Sequence, residues 1–293
     1  MLKQGVALLL AAASLLTATA CTASGQTATH EPALDPSVME LDPGAVNPMA
    51  IDYPLRTYNV GNEFVHTVER GVALLEQACF RRFGLDLPLP APPDARPYPV
   101  WDWYGLWDEQ TARQYGYSPP PWGGGGEPFP AVVPADWQRL LVGPARLFNG
   151  VEVPEGGCQG SAHRDIGLDR QPDGQLVETL QRDAVTRARQ HSGVAPLVSA
   201  WADCLKKQGW DFKDPAEPFQ IVPARGDESE MARLAAADIQ CKKETGLLRA
   251  WVAADIAYQR LLLEENSEKL RDWTQWCDEV VRKSNDVVAS AGQ

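Results

Sequence analysis

The chain is poor in histidine and lysine, and it lacks the short motifs that mark the common enzyme classes. Only four histidines occur, His30, His66, His163 and His191, and there is no His-Glu-x-x-His and no Cys-x-x-Cys. The usual zinc spacings are therefore missing. Gly123-Gly124-Gly125-Gly126 runs into Glu127-Pro128 rather than into a Lys and a helix, so it is not a phosphate-binding loop. No Gly-x-Ser-x-Gly elbow and no Ser-x-x-Lys occurs, which removes the readily recognised hydrolase and penicillin-binding readings. Ser161 and His163 are close in sequence, but side chains two apart on a helix diverge. Basic residues are scarce: 27 Lys and Arg against 39 Asp and Glu, a formal charge of -12. That balance argues against nucleic acid and against a basic face lying on a membrane. No run of alternating strands and no βαβ period is visible, so a typical solute-binding lipoprotein is not expected. No apolar run approaches the roughly 20 residues of a bilayer-spanning helix. Neither a metal nor a cofactor is expected.

What is present begins at the N-terminus. Lys3 is followed by an apolar run from Val6 to Leu16, and then by Ala18-Thr19-Ala20-Cys21. A short positive start and a short apolar stretch are the layout of a secretory signal. Small residues directly before a cysteine resemble a bacterial lipobox, although Ala18 stands where Leu is usual. The resemblance implies a signal peptide over 1–20 and a lipid on Cys21, the first residue of the mature chain. Acyl chains anchor a protein because each buried methylene contributes about 0.8 kcal/mol. The expected address is the extracytoplasmic face of the cell membrane, with the membrane itself as a partner through the lipid. Residues 21–55 read as a tether, since Thr22 to Pro48 has no Lys or Arg and little to bury. Roughly 240 residues, 56–293, remain for a core, enough for one domain or two small units.

Helical periodicity dominates that remainder, so the expected fold is all-α. Asn62 can cap a helix whose stripe is Val65, Val68, Val72, Leu75, Cys79 and Phe83, with Gly84 as its stop. Further helices are expected near 108–115, 155–166 and 174–191, from Pro196 to Gly209, and from Ser229 to Lys243. Cys79-Phe80-Arg81-Arg82-Phe83-Gly84-Leu85-Asp86-Leu87 and Cys204-Leu205-Lys206-Lys207-Gln208-Gly209-Trp210-Asp211-Phe212 obey one rule: Cys, apolar, base, base, any, Gly, apolar, Asp, apolar. This suggests two related units, 60–168 and 174–245, followed by a long helix over 246–288. An exported chain meets oxidising conditions. If the units are duplicates, the simplest pairing is Cys79 with Cys158 and Cys204 with Cys241, leaving Cys277 over.

These cysteines and their neighbours resemble a family of actinobacterial exported lipoproteins. The likeness is carried by Cys79 with Gly84, by Gly156-Gly157-Cys158, by Trp201-x-x-Cys204 with Gly209-Trp210, by Asp238-x-x-Cys241, and by Tyr258-Gln259-Arg260 leading to Glu264-Glu265-Asn266. It covers most of residues 60–270 and implies secretion, disulfides and a helical fold. It implies no reaction.

Two stretches offer surfaces for binding. Trp101-Asp102-Trp103-Tyr104-Gly105-Leu106-Trp107-Asp108-Glu109 opens a Pro- and Trp-rich insertion that runs on through Trp122 to about Pro130. Trp101, Trp103, Trp107 and Trp122 are candidate glycan-stacking residues. The plainer reading makes Asp108 the N-cap of a helix stopped by Gly116, with the Trps covering the core. In the last helix, Leu270, Trp273, Val280 and Val287 form an apolar stripe. About 42 residues at 1.5 Å would reach roughly 60 Å, beyond a domain about 40 Å across. A projecting end would offer the stripe to an envelope protein or a second copy. The expected function is accordingly a non-enzymatic interaction or accessory protein of the cell envelope. A wall-glycan binder and an unrecognised enzyme are the alternatives.

Overall fold

The structure, a computed structural model, describes residues 31–89, 103–117, 133–143, 146–218 and 228–292. Its helices are α1 (Pro36–Met39), α2 (Asn62–Arg81), α3 (Glu109–Tyr115), α4 (Ala135–Val142), α5 (Gly157–Ile166), α6 (Leu176–Gln190), α7 (Ala195–Lys207), α8 (Glu228–Thr245), α9 (Leu247–Glu265) and α10 (Ser267–Ala291). Short 3-10 turns lie at Pro48–Ala50, Pro54–Tyr58 and Leu168–Arg170. Among the described residues the fold is all-α apart from one hairpin of two-residue strands, β1 (Leu147–Phe148) and β2 (Val151–Glu152). Asn149 and Gly150 at its tip both have positive φ, as a tight two-residue hairpin turn requires.

α9 is the central helix. Leu247, Trp251, Ala254 and Tyr258 are buried, and so are Leu248, Val252, Asp255 and Gln259 on its other faces. A helix covered all round belongs inside a bundle. α6 packs along it, and α8, α7 and the N-terminal arm complete the enclosure. α2 lies against α10 and α5. Gly71 makes that crossing close: a Cβ there would sit 3.0 Å from Ser284.

Three expectations change. The compact unit begins at Pro32 rather than at 56. Val38, Val46 and Leu55 are buried in the main core, so residues 32–55 are an arm of the domain and not part of a tether. The arm is fixed by polar contacts as well. Asp35 N–H donates to Ala253 O, Asp35 caps α1, and its carboxylate pairs with Arg260 at 2.5 Å. Arg249 donates to Leu41 O, and the His191 ring contacts Pro32 O at 3.0 Å. Second, the expected long C-terminal helix is present as α10, but it starts at Ser267 rather than at 246, after the separate helix α9. Asn266 adopts φ -115° and its side-chain amide donates back to Leu262 O, ending α9 before α10 starts. Third, the proposed partner stripe is used inside the domain. Leu270, Trp273 and Val280 are buried, and Val287 is half-buried. Trp273 donates to Tyr58 O and Trp276 to Gly167 O. Once α10 turns at Asn266 its stripe meets α2 and α5.

Both disulfides join the expected partners, Cys79 with Cys158 and Cys204 with Cys241. The repeated nine-residue pattern also closes its helices identically. Leu85 N–H donates to Phe80 O and Trp210 N–H to Leu205 O, across Gly84 and Gly209 at φ 73° and 92°. This is the left-handed C-terminal turn that glycine supplies. The likeness ends at the far side of each bridge. Cys158 stands at the first turn of α5, Cys241 about one turn before the end of α8.

Candidate functional site

The chemistry-bearing residues of the described chain gather in a polar seam between the aromatic segment 103–117 and helices α8 and α9. Sequence sets the segment's entry. Asp108 accepts a hydrogen bond from Thr111 N–H to start α3, and Gly116, at φ 56°, stops it. Tyr104 and Tyr117, on either side of that helix, are thereby turned into the core, where each is nearly inaccessible.

The first half of the seam centres on Asp238. Its carboxylate accepts from Trp201 Nε1 at 2.7 Å, from Tyr117 OH at 3.0 Å and from Lys242 Nζ at 3.0 Å. Lys242 also donates to Leu106 O at 2.8 Å. Asp238 is 0 % and Lys242 2 % exposed. Burial pulls the Lys242 ammonium below the usual lysine range, and the facing Asp238 carboxylate opposes that shift. A buried pair is tolerated when its remaining donors and acceptors are satisfied, and here an indole, a phenol and a backbone carbonyl supply the partners. Burial and the Asp238 charge push the Tyr117 hydroxyl well above the ordinary tyrosine range.

The second half centres on Asp255, one level along α9. Tyr104 OH donates to one of its oxygens and Gln259 Nε2 to the other at 3.1 Å. Gln259 in turn accepts from Leu55 N–H of the arm at 3.1 Å. Burial raises the Asp255 carboxyl to about 7. Tyr53 lies beside Tyr104 with its hydroxyl buried. The Tyr104 ring meets Trp251 edge-on at 5.3 Å.

Trp103 and Trp107 are half-buried and packed against the main core. They pack on the core, as the plainer reading of this segment expected, and each keeps part of its surface open. Trp101 and Trp122 lie outside the described residues, as does Cys21. Beside Trp107 is a crevice of ≈ 10 Å³, lined also by Gly44, Val46, Ile239, Lys242 and Lys243. That is room for about one water. No group of three metal-capable side chains occurs among the described residues, and no described helix is long and apolar enough to cross a membrane.

The residues singled out by family resemblance do specific work here. Trp201 and Asp238, each one turn before a half-cystine, bond to each other. Gln259 and Arg260 hold the arm through Leu55 and Asp35. Gly157 is needed because a Cβ there would stand 2.3 Å from Leu141 O. Sequence reasoning missed Lys242 and Asp255. The available signal was a charged residue at i and i+4, Asp238 and Lys242, with Leu234, Ala235, Ala237 and Ile239 around it, and a lone Asp within Ala253-Ala254-Asp255-Ile256-Ala257. What the arrangement does is clamp: it ties the aromatic segment and the arm to α8 and α9. No family profile, curated protein or solved structure matches the chain.

Proposed function

We propose that this chain is an exported lipoprotein, anchored through Cys21, whose disulfide-stapled helical domain is an interaction module of the cell envelope. The observation that carries the address is the pair of disulfides, which belong to an oxidising compartment. The apolar run ahead of Ala18-Thr19-Ala20-Cys21 agrees with it. The folded unit starts at Pro32, eleven positions after Cys21. Even a fully extended chain of that length reaches only ~40 Å, so a lipid on Cys21 holds the domain within about one domain diameter of the membrane.

A module of this kind fits the use the chain makes of its chemical residues. Asp238, Lys242, Asp255, Tyr104, Tyr117 and Gln259 bond to one another or to backbone inside the domain. Among the described residues the two most exposed large apolar side chains are Leu147 on the hairpin, 63 % exposed, and Val142 at the end of α4, and Val151 on the hairpin is exposed beside them. This group takes over the partner role first assigned to Leu270, Trp273, Val280 and Val287. Wall-glycan binding remains the second reading, on the partial exposure of Trp103 and Trp107.

Photocrosslinking from position 147 on intact cells tests the interaction reading, with position 280 as a buried control. A discrete adduct from 147 and none from 280 is expected. Retention of the protein on isolated wall glycan, lost on Trp103→Ala or Trp107→Ala, with no adduct from 147, would transfer the function to the Trp-rich segment.

A further inference from the structure

The two disulfides differ in how they meet solvent, and that difference has chemical content. Cys79 and Cys158 are both buried, within a cluster that includes Phe80, Phe83, Leu140 and Val153. In the other bridge Cys241 is inaccessible but Cys204 is half-exposed. Around the open sulfur stand two polar side chains. Gln208 Nε2 lies 3.3 Å from Cys241 Sγ and 3.8 Å from Cys204 Sγ, donating to both. A Glu244 oxygen lies 3.7 Å from Cys204 Sγ. Lys206 and Lys207 are exposed on the same helix end. We propose that Cys204–Cys241 is a thiol–disulfide exchange site, open to an external thiolate at Cys204 Sγ and assisted by the Gln208 amide at the departing Cys241 Sγ.

The step balances without any group beyond the thiol. A thiolate attacks Cys204 Sγ in line with the S–S bond. A new S–S bond to Cys204 forms, the bond to Cys241 breaks, and its electron pair leaves on Cys241 Sγ, which takes a proton from water. A second equivalent of the thiol displaces Cys204 from the mixed disulfide, giving two protein thiols and one oxidised thiol dimer. The rate of such exchange depends on access to the attacked sulfur and on how well the leaving sulfur carries charge. Access favours Cys204, and an N–H donor 3.3 Å from Cys241 Sγ stabilises the thiolate as it forms. The Glu244 carboxylate repels an incoming anion and sets the rate below what exposure alone would give. Opening the bridge frees the end of α7 from α8, one turn from the Trp201–Asp238 bond. Exchange here therefore loosens the seam that holds the aromatic segment.

The test uses the full mature chain, oxidised, under native conditions with reduced glutathione or dithiothreitol, quenched by alkylation and read by peptide mass mapping. Cys204 and Cys241 should become alkylated at least about tenfold faster than Cys79 and Cys158. A glutathione adduct should form on Cys204 and not on Cys241. Gln208→Leu, a change at an exposed position, should slow opening several-fold. Glu244→Gln should speed it, most at low salt. Rates at Cys79–Cys158 should be unchanged in both variants. Equal labelling of all four cysteines, or an adduct on Cys241, would overturn the proposal. So would a wild-type rate in Gln208→Leu, since the donor would then play no part.

Discussion

The bridges at Cys79–Cys158 and Cys204–Cys241 close two helices that end in the same nine-residue pattern, yet they sit in opposite surroundings. Near the first, the residue one turn before Cys79 is Glu76, buried on α2 with no hydrogen bond or ion pair among the described residues. Burial raises its carboxyl to about 7. Near the second, the residue one turn before Cys241 is Asp238, also buried but held by Lys242, Trp201 and Tyr117. The glycine turn recurs because it is local backbone physics, indifferent to what lies beyond it. The acid's fate is decided by tertiary partners, and those do not recur.

The largest way to break this contrast is Asp238→Ala. It strands the Lys242 ammonium in the core and should lower stability by about 3–5 kcal/mol in denaturant unfolding. An effect below about 1 kcal/mol would mean that the pair is open to water. Next come the glycines. Gly157→Ala combines a positive φ with a Cβ 2.3 Å from Leu141 O, and should cost about 2–5 kcal/mol. Gly209→Ala meets nothing within 4 Å, and should cost only the left-handed penalty of about 1–2 kcal/mol.

Smaller, and opposite in sign, is Glu76→Gln. A carboxyl raised to about 7 in the native state holds its proton more tightly there than in the unfolded chain. Its contribution is present in acid and is lost as pH rises from about 4.5 through 7. At pH 8 the amide should therefore stabilise the protein, by about 1–3 kcal/mol, and at pH 4 it should change little. Unfolding free energies at the two pH values decide, and a loss at pH 8 would show that Glu76 has a partner. Smallest is the difference between the bridges themselves. Their loops span 79 and 37 residues. On chain entropy, the Cys79→Ala/Cys158→Ala pair should lose about 0.7 kcal/mol more than the Cys204→Ala/Cys241→Ala pair.

Most of the helices, their glycine stops, the Asp108 cap and both disulfides were legible because each is written in spacing or in local residue chemistry; the short α1 and α4 were not. The arm over 32–55 was not. Its buried residues, Val38, Val46 and Leu55, are isolated among Pro, Gly and acid, with no period to reveal a partner. The stripe Leu270, Trp273, Val280 and Val287 was legible as apolar, but its direction depends on the turn at Asn266, where a single side-chain amide to Leu262 O ends α9. Val65 was assigned to the inner face of α2 and is 37 % exposed, because the buried face rotates toward Gly71 and Glu76 to meet α10 and α5. For the seam, Trp201 and Asp238 stood out within cysteine motifs. That they bond to each other and to Lys242 depends on how α7 and α8 are brought together, which no local pattern records.

The proposed address of the protein is tested most directly by mass spectrometry of the N-terminal peptide from protein isolated with the membrane fraction. The expected result is a mature chain beginning at Cys21 and carrying thioether-linked diacylglycerol, with Cys21→Ser protein released to the medium. An unmodified N-terminus at another residue, with the wild-type protein found only in the medium, would contradict it.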